Sequence, residues 1–434
     1  MSETHTRAIL PEAPRTIEAT GLPFEMVQQL VMTTLHLAGE MTGSDLASRL
    51  GVIFTVIEPP LELMKRERHC EILGGSIGPQ SYVYRLTEAG HARATASLEQ
   101  RPYVGRLPVP LAQYASYMRA HGRRNAAPVT PHRVRDAFAH LVLSDRVLDQ
   151  LGPGVAARHS LFVYGPPGNG KTVIAHSIVN LLGGGIAIPH ALAVDTEIIR
   201  LYDPLSHDAI EAEQAAIPLT RQALDDHRWV WCTRPVVTVG GELRLESLEL
   251  GYSPVSGLYR APLQALANGG VLVIDDFGRQ RASPREILNR WIVPLEGHVD
   301  HLVLQTGQKF ELPFEALVVF ATNLNPLDLL DESFLRRIRY KVYAESPTHE
   351  EFVRIFQNCC TERGLLFDPA LVEALITTEL QPRFVQLRGC HPRDLIDHAL
   401  SLAEYTGAPR ELTLDLMSAA CATYFLSDDP HPSR

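Results

Sequence analysis

The chain has 434 residues, with 50 acidic side chains, 40 basic ones and a formal net charge of −10. Its length exceeds the roughly 250 to 300 residues at which a single core stops growing, so we expect two or three domains, and its acidity argues against a chain that binds nucleic acid over its whole surface. No segment approaches the roughly 20 apolar residues of a membrane span, and the amino terminus does not read as a signal peptide. We therefore expect a soluble cytoplasmic protein without a membrane partner.

The cysteines show no metal-binding or disulfide pattern. None of them forms a C-x-x-C pair, so the sequence indicates neither a zinc site nor a disulfide framework. We expect reduced, buried thiols at the six positions, which are Cys70, Cys232, Cys359, Cys360, Cys390 and Cys421.

The amino-terminal quarter of the chain has a recognisable order of elements. Residues 1–20 form a predicted flexible lead with few large apolar side chains. Residues 21–99 contain three stretches with helical spacing, "PFEMVQQLVMTTLHLAG", "TGSDLASRLG" and "FTVIEPPLELMKRERH", and then two short strands around the turn "GGSIGPQS". Three helices followed by a hairpin are typical of a winged-helix domain. Residues 100–127 form a predicted linker with one short docking segment.

The charges of this predicted winged helix favour a protein partner over DNA. Residues 20–100 contain six Lys or Arg and nine Asp or Glu. Glu58 and Glu62 lie at the start of the third helix, where a DNA-reading domain places its base contacts and where phosphates would repel them. We therefore predict a protein-docking domain, and DNA remains the disfavoured alternative.

A glycine-rich motif follows an apolar strand in "SLFVYGPPGNGKTVIAHSIV" and precedes an amphipathic helix. This context matches G-x-x-x-x-G-K-T, in which backbone N–H groups surround phosphates at the start of a helix. Lys171 would hold the terminal phosphates and Thr172 a magnesium ion. The predicted phosphate site comprises Gly165, Pro166, Pro167, Gly168, Asn169, Gly170, Lys171 and Thr172.

A second strand, "VLVI", ends in Asp275 and Asp276. Its continuous apolar run is typical of an internal parallel strand. Asp275 would orient the water shell of the magnesium ion, and Asp276 would act as the general base on the attacking water. About 105 residues separate Lys171 from Asp276, so the sequence demands an insertion between the two strands.

Three further signals follow in order. The buried strand of "ALVVFATNLNP" ends at Asn323, whose amide could hydrogen-bond the water or the terminal phosphate. Arg336 and Arg337 end a short helix in "LDESFLRRIRYKV", and Arg393 opens another helix in "GCHPRDLIDHALSLA". The region from Thr348 onward is otherwise predicted to be helical.

The ordered set "GPPGNGKT", "VLVIDD", "FATN", "FLRRI" and "HPRDL" resembles the AAA+ ATPases over residues 128–425. The resemblance implies an α/β fold with a P-loop parallel sheet sandwiched by helices over residues 128–344, carrying β-hairpin insertions, and a helical lid over residues 345–434. It implies Walker A, Walker B and sensor 1 roles for the loop, the two aspartates and Asn323. It implies a sensor 2 role for Arg393, and it implies that ATP and Mg²⁺ are the cofactors.

The resemblance also implies an oligomer. In this family an arginine finger acts on the nucleotide of the neighbouring subunit, most often in a hexameric ring, and stabilises the charge of the transition state. Arg336 and Arg337 both match the finger, and the sequence leaves the choice between them open.

Two stretches are predicted to form β-hairpin insertions. One is "RPVVTV", the Gly240-Gly241 turn and "ELRLESLEL", and the other is "DHLVLQTGQKFELPF", which turns at Gly307. They resemble pore-facing insertions of one AAA+ clade, but a packing role is equally open. The tyrosines of "YSPVSGLY" could grip a polypeptide, although anchoring of the loop is favoured, as it is for the aromatic residues of "DHRWVWC".

These patterns predict an ATP-hydrolysing motor that remodels a macromolecular partner, most simply a protein docked on the winged helix. A DNA-associated ATPase of the initiator, helicase-loader or transposition-regulator type is the first alternative. A nucleotide switch that hydrolyses ATP slowly is the second, because Asp276 stands where much of the family has the longer glutamate.

Overall fold

The computed structural model describes residues 10–75, 78–122, 128–210 and 225–425. Their helices are α1 (Ile17–Thr20), α2 (Phe24–Ala38), α3 (Gly43–Leu50), α4 (Phe54–Arg66), α5 (Glu88–Gln100), α6 (Leu111–His121), α7 (Pro131–Ala137), α8 (Asp145–Ala157), α9 (Lys171–Ser177), α10 (Val179–Leu182), α11 (Leu263–Leu266), α12 (Pro284–Gly297), α13 (Pro326–Leu329), α14 (Glu332–Leu335), α15 (His349–Glu362), α16 (Pro369–Leu375), α17 (His391–Thr406) and α18 (Leu414–Tyr424).

The strands are short, and most lie in the middle of the chain. They are β1 (Glu40–Thr42), β2 (Cys70–Gly75), β3 (Tyr82–Leu86), β4 (Val109–Pro110), β5 (Leu161–Tyr164), β6 (Gly185–Pro189), β7 (Ala191–Val194), β8 (Glu197–Arg200), β9 (Trp229–Thr233), β10 (Val236–Val239), β11 (Gly251–Ser253), β12 (Leu258–Arg260), β13 (Val271–Ile274), β14 (Val299–Val303), β15 (Lys309–Pro313), β16 (Leu317–Thr322) and β17 (Tyr340–Tyr343).

The chain divides into two compact units that alternate along the sequence. The first unit contains Met1–Ala127, Leu182–Leu272 and Gln280–Val318. The second contains Pro128–Leu181, Val273–Arg279 and Val319–Arg434. Among the described residues, none of the helices is long and apolar enough to cross a bilayer.

The first unit begins with the predicted three helices and hairpin, which occur in the expected order as α2, α3, α4, β2 and β3. Thr42 caps α3 by accepting a hydrogen bond from the Asp45 N–H at 3.1 Å, and Gly51 ends the helix at φ 74°. A strand that the sequence did not predict, β1, pairs with β3 to give the antiparallel order β1-β3-β2. The name winged helix remains a prediction.

The hydrophobic core of this amino-terminal part extends into the β-structure of the first unit. One cluster of buried side chains joins residues 17–107 to Ala191, Ala193 and Ile198, which lie in β7 and β8. Residues 1–9 of the predicted flexible lead lie outside the described residues, whereas Ile17 and Thr20 are buried in α1. The first unit therefore packs residues from distant parts of the sequence together.

The rest of the first unit is mostly β-structure. Its largest sheet has the order β11-β12-β8-β7-β4, and two further pairs are β6 with β9 and β14 with β15. The pair β14–β15 is the predicted second hairpin, with Val303 opposite Lys309 and Gly307 at φ 83° in its turn. That prediction is confirmed.

The prediction of a hairpin over residues 235–250 is wrong. The strand β10 forms, but the stretch after the Gly240-Gly241 turn contains a 3₁₀ turn, Leu245–Leu248, instead of a second strand. Leu243 and Leu248 are both fully buried, a five-residue spacing that an alternating strand cannot place on one face.

The aromatic residues of the first unit are packing residues. Trp229 is buried, with its ring 4.8 Å from that of Tyr117. Tyr259 is buried as well, and its hydroxyl accepts a hydrogen bond from the Gln305 N–H at 3.0 Å. The ring of Tyr252 packs against it in a tilted arrangement, with 5.0 Å between the ring centroids. These contacts favour the anchoring interpretation of both aromatic segments.

A parallel sheet organises the second unit. Four neighbouring strands of this five-stranded sheet have the order β13-β16-β5-β17. Leu161 at the start of β5 lies opposite Val319 of β16 and Tyr340 of β17, both in parallel register. All residues of β13 and β16 are buried, as expected for internal parallel strands. The predicted α/β class is confirmed.

The second unit ends in a helical region. Thr348 and Glu351 form a capping box that starts α15, and one apolar cluster joins residues of α15 to α18. A π-helical turn, Ile376–Leu380, follows α16. The prediction of helices from residue 348 onward is confirmed.

Candidate functional site

The glycine-rich loop, residues 165–170, connects the buried strand β5 to α9. Gly168 has φ 83°, and a Cβ atom there would lie 2.5 Å from Cys390 Sγ, so no other residue fits without displacing the cysteine. Gly170 has φ 72° and precedes α9, and no heavy atom lies within 4 Å of its Cβ position. The loop is thus held tightly on one side and open at the start of the helix.

Lys171 is 7% exposed and its ammonium group lies against the loop. Its Nζ donates hydrogen bonds to the carbonyl oxygens of Gly165 at 3.1 Å and Pro166 at 2.8 Å. Burial lowers the pKa of Lys171, and the carboxylates of Asp275 and Asp276 oppose this shift. The two acidic residues therefore help to keep a charged donor at the loop.

Thr172 and Asp275 meet in front of the sheet. The Thr172 hydroxyl donates to Asp275 Oδ2 at 2.8 Å, which joins the first turn of α9 to the end of β13. Hydroxyl and carboxylate oxygens are hard donors that suit Mg²⁺. These two residues therefore fit the metal that the sequence implies, although no group of three or more His, Cys, Asp or Glu that could hold a metal occurs among the described residues.

Asp276 adopts a left-handed backbone conformation with φ 48°. Asn323 Nδ2 donates to Asp276 Oδ1 at 3.2 Å, so the structure brings together the two residues that the sequence placed at adjacent strand ends. The Phe277 N–H donates to the Ala321 carbonyl at 2.7 Å and fixes the chain immediately after Asp276. A non-glycine residue in this conformation is uncommon and is worth attention at a functional site.

These groups line one cavity of about 620 Å³, within the usual size range of small-molecule sites. Its polar lining includes Gly168, Asn169, Gly170, Lys171, Thr172, Asp275, Asp276, Asn323 and Arg393. Its apolar lining includes Leu141, Val142, Leu143, Ile174 and Ile355. The cavity suits a ligand with a planar or apolar part joined to an anionic part.

The three arginines predicted from sequence have different surroundings. Arg393 lines the cavity, but its Nε donates to Asp394 Oδ1 at 2.8 Å, and this hydrogen bond raises its pKa. Arg336 is exposed, while the Arg337 guanidinium lies 5.8 Å from the ring centroid of Phe334. Neither of these two belongs to the cavity lining.

The sequence reasoning missed several residues at the site. Arg388 places its Cβ and Cδ atoms 3.6 and 3.5 Å from the Cβ position of Gly168, and none of the ion pairs within the described part of the chain uses its guanidinium. Cys390 and Asn358 also line the cavity. Arg388 could have been found as a second basic residue near "HPRDL", but no spacing rule distinguishes it from a solvated arginine.

His140 is another residue that the sequence did not indicate. It lines the cavity, and its Nε2 lies 3.0 Å from Ser177 Oγ. Ser177 donates its own proton to the Val173 carbonyl at 2.8 Å, so the histidine supplies the proton in the contact with serine. This assigns the Nε2-protonated tautomer and leaves Nδ1 as an acceptor.

Comparison with known proteins adds little to this geometry. The family model described as "Domain of unknown function (DUF8689)" matches residues 348–423, the helical region of the second unit. No curated protein matches the sequence.

Solved structures give weak overall similarity. RuvB of Thermotoga maritima, described as a Holliday junction branch migration motor, is 15% identical over 64% of this chain and 69% of its own, with a TM-score of 0.37. NtrX of Brucella abortus in complex with ATP is 14% identical over 67% of this chain and 55% of its own, with a TM-score of 0.40. At these scores the neighbours carry no argument about function, and the proposal below depends on the geometry of the cavity.

Proposed function

We propose that the chain is a P-loop ATPase of the AAA+ class that binds and hydrolyses Mg·ATP. The observation that carries this proposal is the cavity, whose lining combines Lys171, the Thr172–Asp275 contact and the Asp276–Asn323 contact with apolar side chains. A nucleoside triphosphate likewise combines a planar base with a charged tail. The α/β fold and the parallel strands that deliver the aspartates support the proposal.

A nucleotide would contact both the apolar and the polar lining of the cavity. Leu141, Val142, Leu143 and Ile355 would cover the faces of the base, and the backbone N–H groups of residues 165–170 would surround the phosphates. Lys171 would exchange the carbonyl oxygens of Gly165 and Pro166 for phosphate oxygens, which are stronger acceptors because they are charged.

Hydrolysis needs a base, a positioned water and positive charge at the terminal phosphate. Mg²⁺, held by Thr172 and through water by Asp275, would neutralise phosphate charge. Asp276 would accept the proton of the attacking water, and Asn323 would orient that water and the carboxylate. Positive charge would come from Arg393, which lines the cavity, and from Arg388, whose side chain lies beside Gly168.

The shorter carboxylate of Asp276 supports a second candidate, a slow nucleotide switch. Asp276 accepts a hydrogen bond from Asn323 and lies in a left-handed backbone conformation, so its carboxylate is already engaged before a water arrives. A turnover number that stays low at every protein concentration would favour the switch over the motor.

We further propose that the ATPase assembles as a ring, most simply a hexamer, with Arg336 or Arg337 acting on the nucleotide of the adjacent subunit. Arg336 is the exposed one of the pair. Replacing both arginines by alanine should abolish hydrolysis while nucleotide binding persists. Unchanged hydrolysis in that variant would refute a finger acting between subunits.

The amino-terminal helices would recruit the client, and a protein suits them better than DNA. Two basic residues of this region are paired with acidic neighbours, Lys65 of α4 with Glu62 at 3.4 Å and Arg85 of β3 with Glu71 of β2 at 2.7 Å. These contacts leave less positive charge for phosphates. The proposed activity is therefore the remodelling of a protein partner in a cytoplasmic setting.

The experiment that tests the ATPase is phosphate release from Mg·ATP by the purified full-length chain, measured over a range of protein concentrations. Hydrolysis per subunit that rises with concentration is expected if subunits complete one another's sites. Absence of both ATP and ADP binding in calorimetry would sink the proposal. A pulldown with the Asp276→Asn protein in ATP would then search for the client.

A further inference from the structure

The side chain of Asn169 makes contacts that a phosphate-binding loop does not require. Asn169 is 7% exposed, and its Nδ2 donates to the Ala344 carbonyl at 3.3 Å and to Ser346 Oγ at 3.2 Å. Both acceptors belong to the short connection between β17 and α15. The amide thus ties the glycine-rich loop to the segment that leads into the helical region.

The same amide also bonds to a second segment of that helical region, directly before α17. Asn169 Oδ1 accepts a hydrogen bond from the Gly389 N–H at 3.4 Å. Next to it, the Cys390 N–H donates to the Gly168 carbonyl at 2.8 Å. Residues 389 and 390 immediately precede α17, so one side chain contacts the chain where it enters the helices and again where it returns to the loop.

The entry segment is itself fixed to the loop. The Ala344 N–H donates to the Tyr164 carbonyl at 2.8 Å, and a Cβ atom at Gly165 would lie 2.5 Å from the Ala344 carbonyl oxygen. A shift of the loop on phosphate binding therefore cannot leave residues 344–346 unaffected. Protein interiors are packed densely enough to transmit such a shift to their neighbours.

We propose that the Asn169 side chain is a positioning residue that couples phosphate occupancy of the loop to the placement of residues 344–390. This inference rests on the proposed ATPase function and assigns the amide a task separate from phosphate binding, which belongs to the loop backbone and Lys171. An amide suits the task because it offers two donors and an acceptor at once. The consequence is that Asn169 governs turnover rather than affinity.

The test compares Asn169→Ala and Asn169→Asp with the unchanged chain. Asn169→Asp keeps the size and the acceptor for Gly389 but removes both donors to residues 344–346. We expect Asn169→Ala to bind Mg·ADP within about threefold of the normal Kd, whereas Asn169→Asp should bind more weakly because it adds a negative charge to the phosphate-binding loop. In both variants kcat for ATP hydrolysis at saturating nucleotide should fall about tenfold or more, a change of about 1.4 kcal/mol in the activation free energy.

Ser346→Ala supplies a matched variant outside the loop. It removes one of the two acceptors, so a smaller loss of kcat is expected, and it keeps the inference testable if the Asn169 variants fail to fold. Combined with Asn169→Ala it forms a double-mutant cycle, in which a shared contact predicts a combined effect smaller than the product of the single effects.

Hydrogen exchange gives a readout that a purely structural role would not move. In the unchanged chain, saturating ADP should increase protection of residues 344–390, and Asn169→Ala should lose this increase while it still binds ADP. A large loss of ADP affinity with normal kcat at saturation would overturn the inference, as would a normal kcat with normal nucleotide-dependent protection. If the unchanged chain neither binds nor hydrolyses nucleotide, the proposed function itself fails.

Discussion

The cavity and the amino-terminal helices use charged residues in opposite ways. At the cavity, Lys171 is bonded to carbonyl oxygens, and Asp275 and Asp276 accept hydrogen bonds from Thr172 and Asn323, which carry no charge. In the amino-terminal region, Lys65 of α4 and Arg85 of β3 contact carboxylates that offset their charge. Charged side chains that converge on one cavity suggest a ligand site, whereas exposed charges that are already paired suggest a surface for another protein.

The largest effect is expected from removal of Lys171, which tests whether the charges at the cavity bind a ligand. Lys171→Ala should weaken binding of Mg·ATP by about 100-fold or more, equivalent to roughly 2.8 kcal/mol. The variant loses the ammonium group that hydrogen-bonds the loop and would bind the phosphate oxygens. Isothermal titration calorimetry measures the change. Lys309→Ala, an exposed lysine on β15, is the control and should bind normally; equal binding by both variants would contradict the assignment.

Replacing the proposed base should separate binding from chemistry. Asp276→Asn should retain Mg·ATP and lower the hydrolysis rate by about 10²-fold or more, the usual contribution of a general base. Single-turnover phosphate release with nucleotide retention on a desalting column checks both quantities. Normal turnover in this variant would assign the base elsewhere and leave Asp276 with a structural role in its left-handed turn.

Two arginines, Arg388 and Arg393, are expected to contribute unequally to ATP hydrolysis. Arg388→Ala should reduce kcat/KM for ATP by about tenfold, because its side chain packs beside Gly168. Arg393→Ala should cause a smaller loss of about threefold, because Asp394 already holds that guanidinium. Steady-state kinetics of the two variants decide the order, and a greater loss for Arg393 would support the sensor 2 role that the family resemblance implies for it.

The smallest effect is expected when DNA is added to the protein. If the paired charges of the amino-terminal helices leave no phosphate-binding surface, micromolar duplex or single-stranded DNA should change neither anisotropy nor ATPase rate at low salt. Binding that weakens steeply with salt would instead indicate several phosphate contacts. That outcome would make the DNA-associated alternative the better description of the chain.

Much of the site could be predicted because it lies on regular elements. A strand followed by glycines, lysine and threonine predicts a phosphate-binding loop. Asp276 and Asn323 contact each other because they follow two parallel strands, whose carboxyl ends lie at the same edge of the sheet. Arg388 could not be predicted, because its position depends on how the helical region folds back on Gly168. Contacts between residues more than 200 positions apart leave no local pattern.

The first unit was less predictable for a related reason. Leu243 and Leu245 have the alternate spacing of a strand, but Leu248 breaks this alternation and is buried together with Leu243, and the segment forms a 3₁₀ turn. The same limitation concealed the shared core, since Ala191 and Ile198 carry no signal that they pack against residues 17–107. Periodicity reports which face of an element is buried and not which partner covers it.

The shared core of the first unit restricts how its role can be mapped by deletion. Arg228 and Asp226, each 2% exposed in their side chains, form an ion pair at 2.8 Å, and Arg228 also donates to the carbonyl oxygens of Thr20 and Pro108. Deletion of the residues before position 127 would remove those acceptors and expose the apolar cluster to water. The remaining fragment would then fail to bind its client because its fold is disrupted, whether or not the deleted residues recognise the client. Surface substitutions that leave the chain whole are therefore the sound route to the docking face, and the amino-terminal helices should be regarded as an integral part of a discontinuous domain rather than a transplantable module.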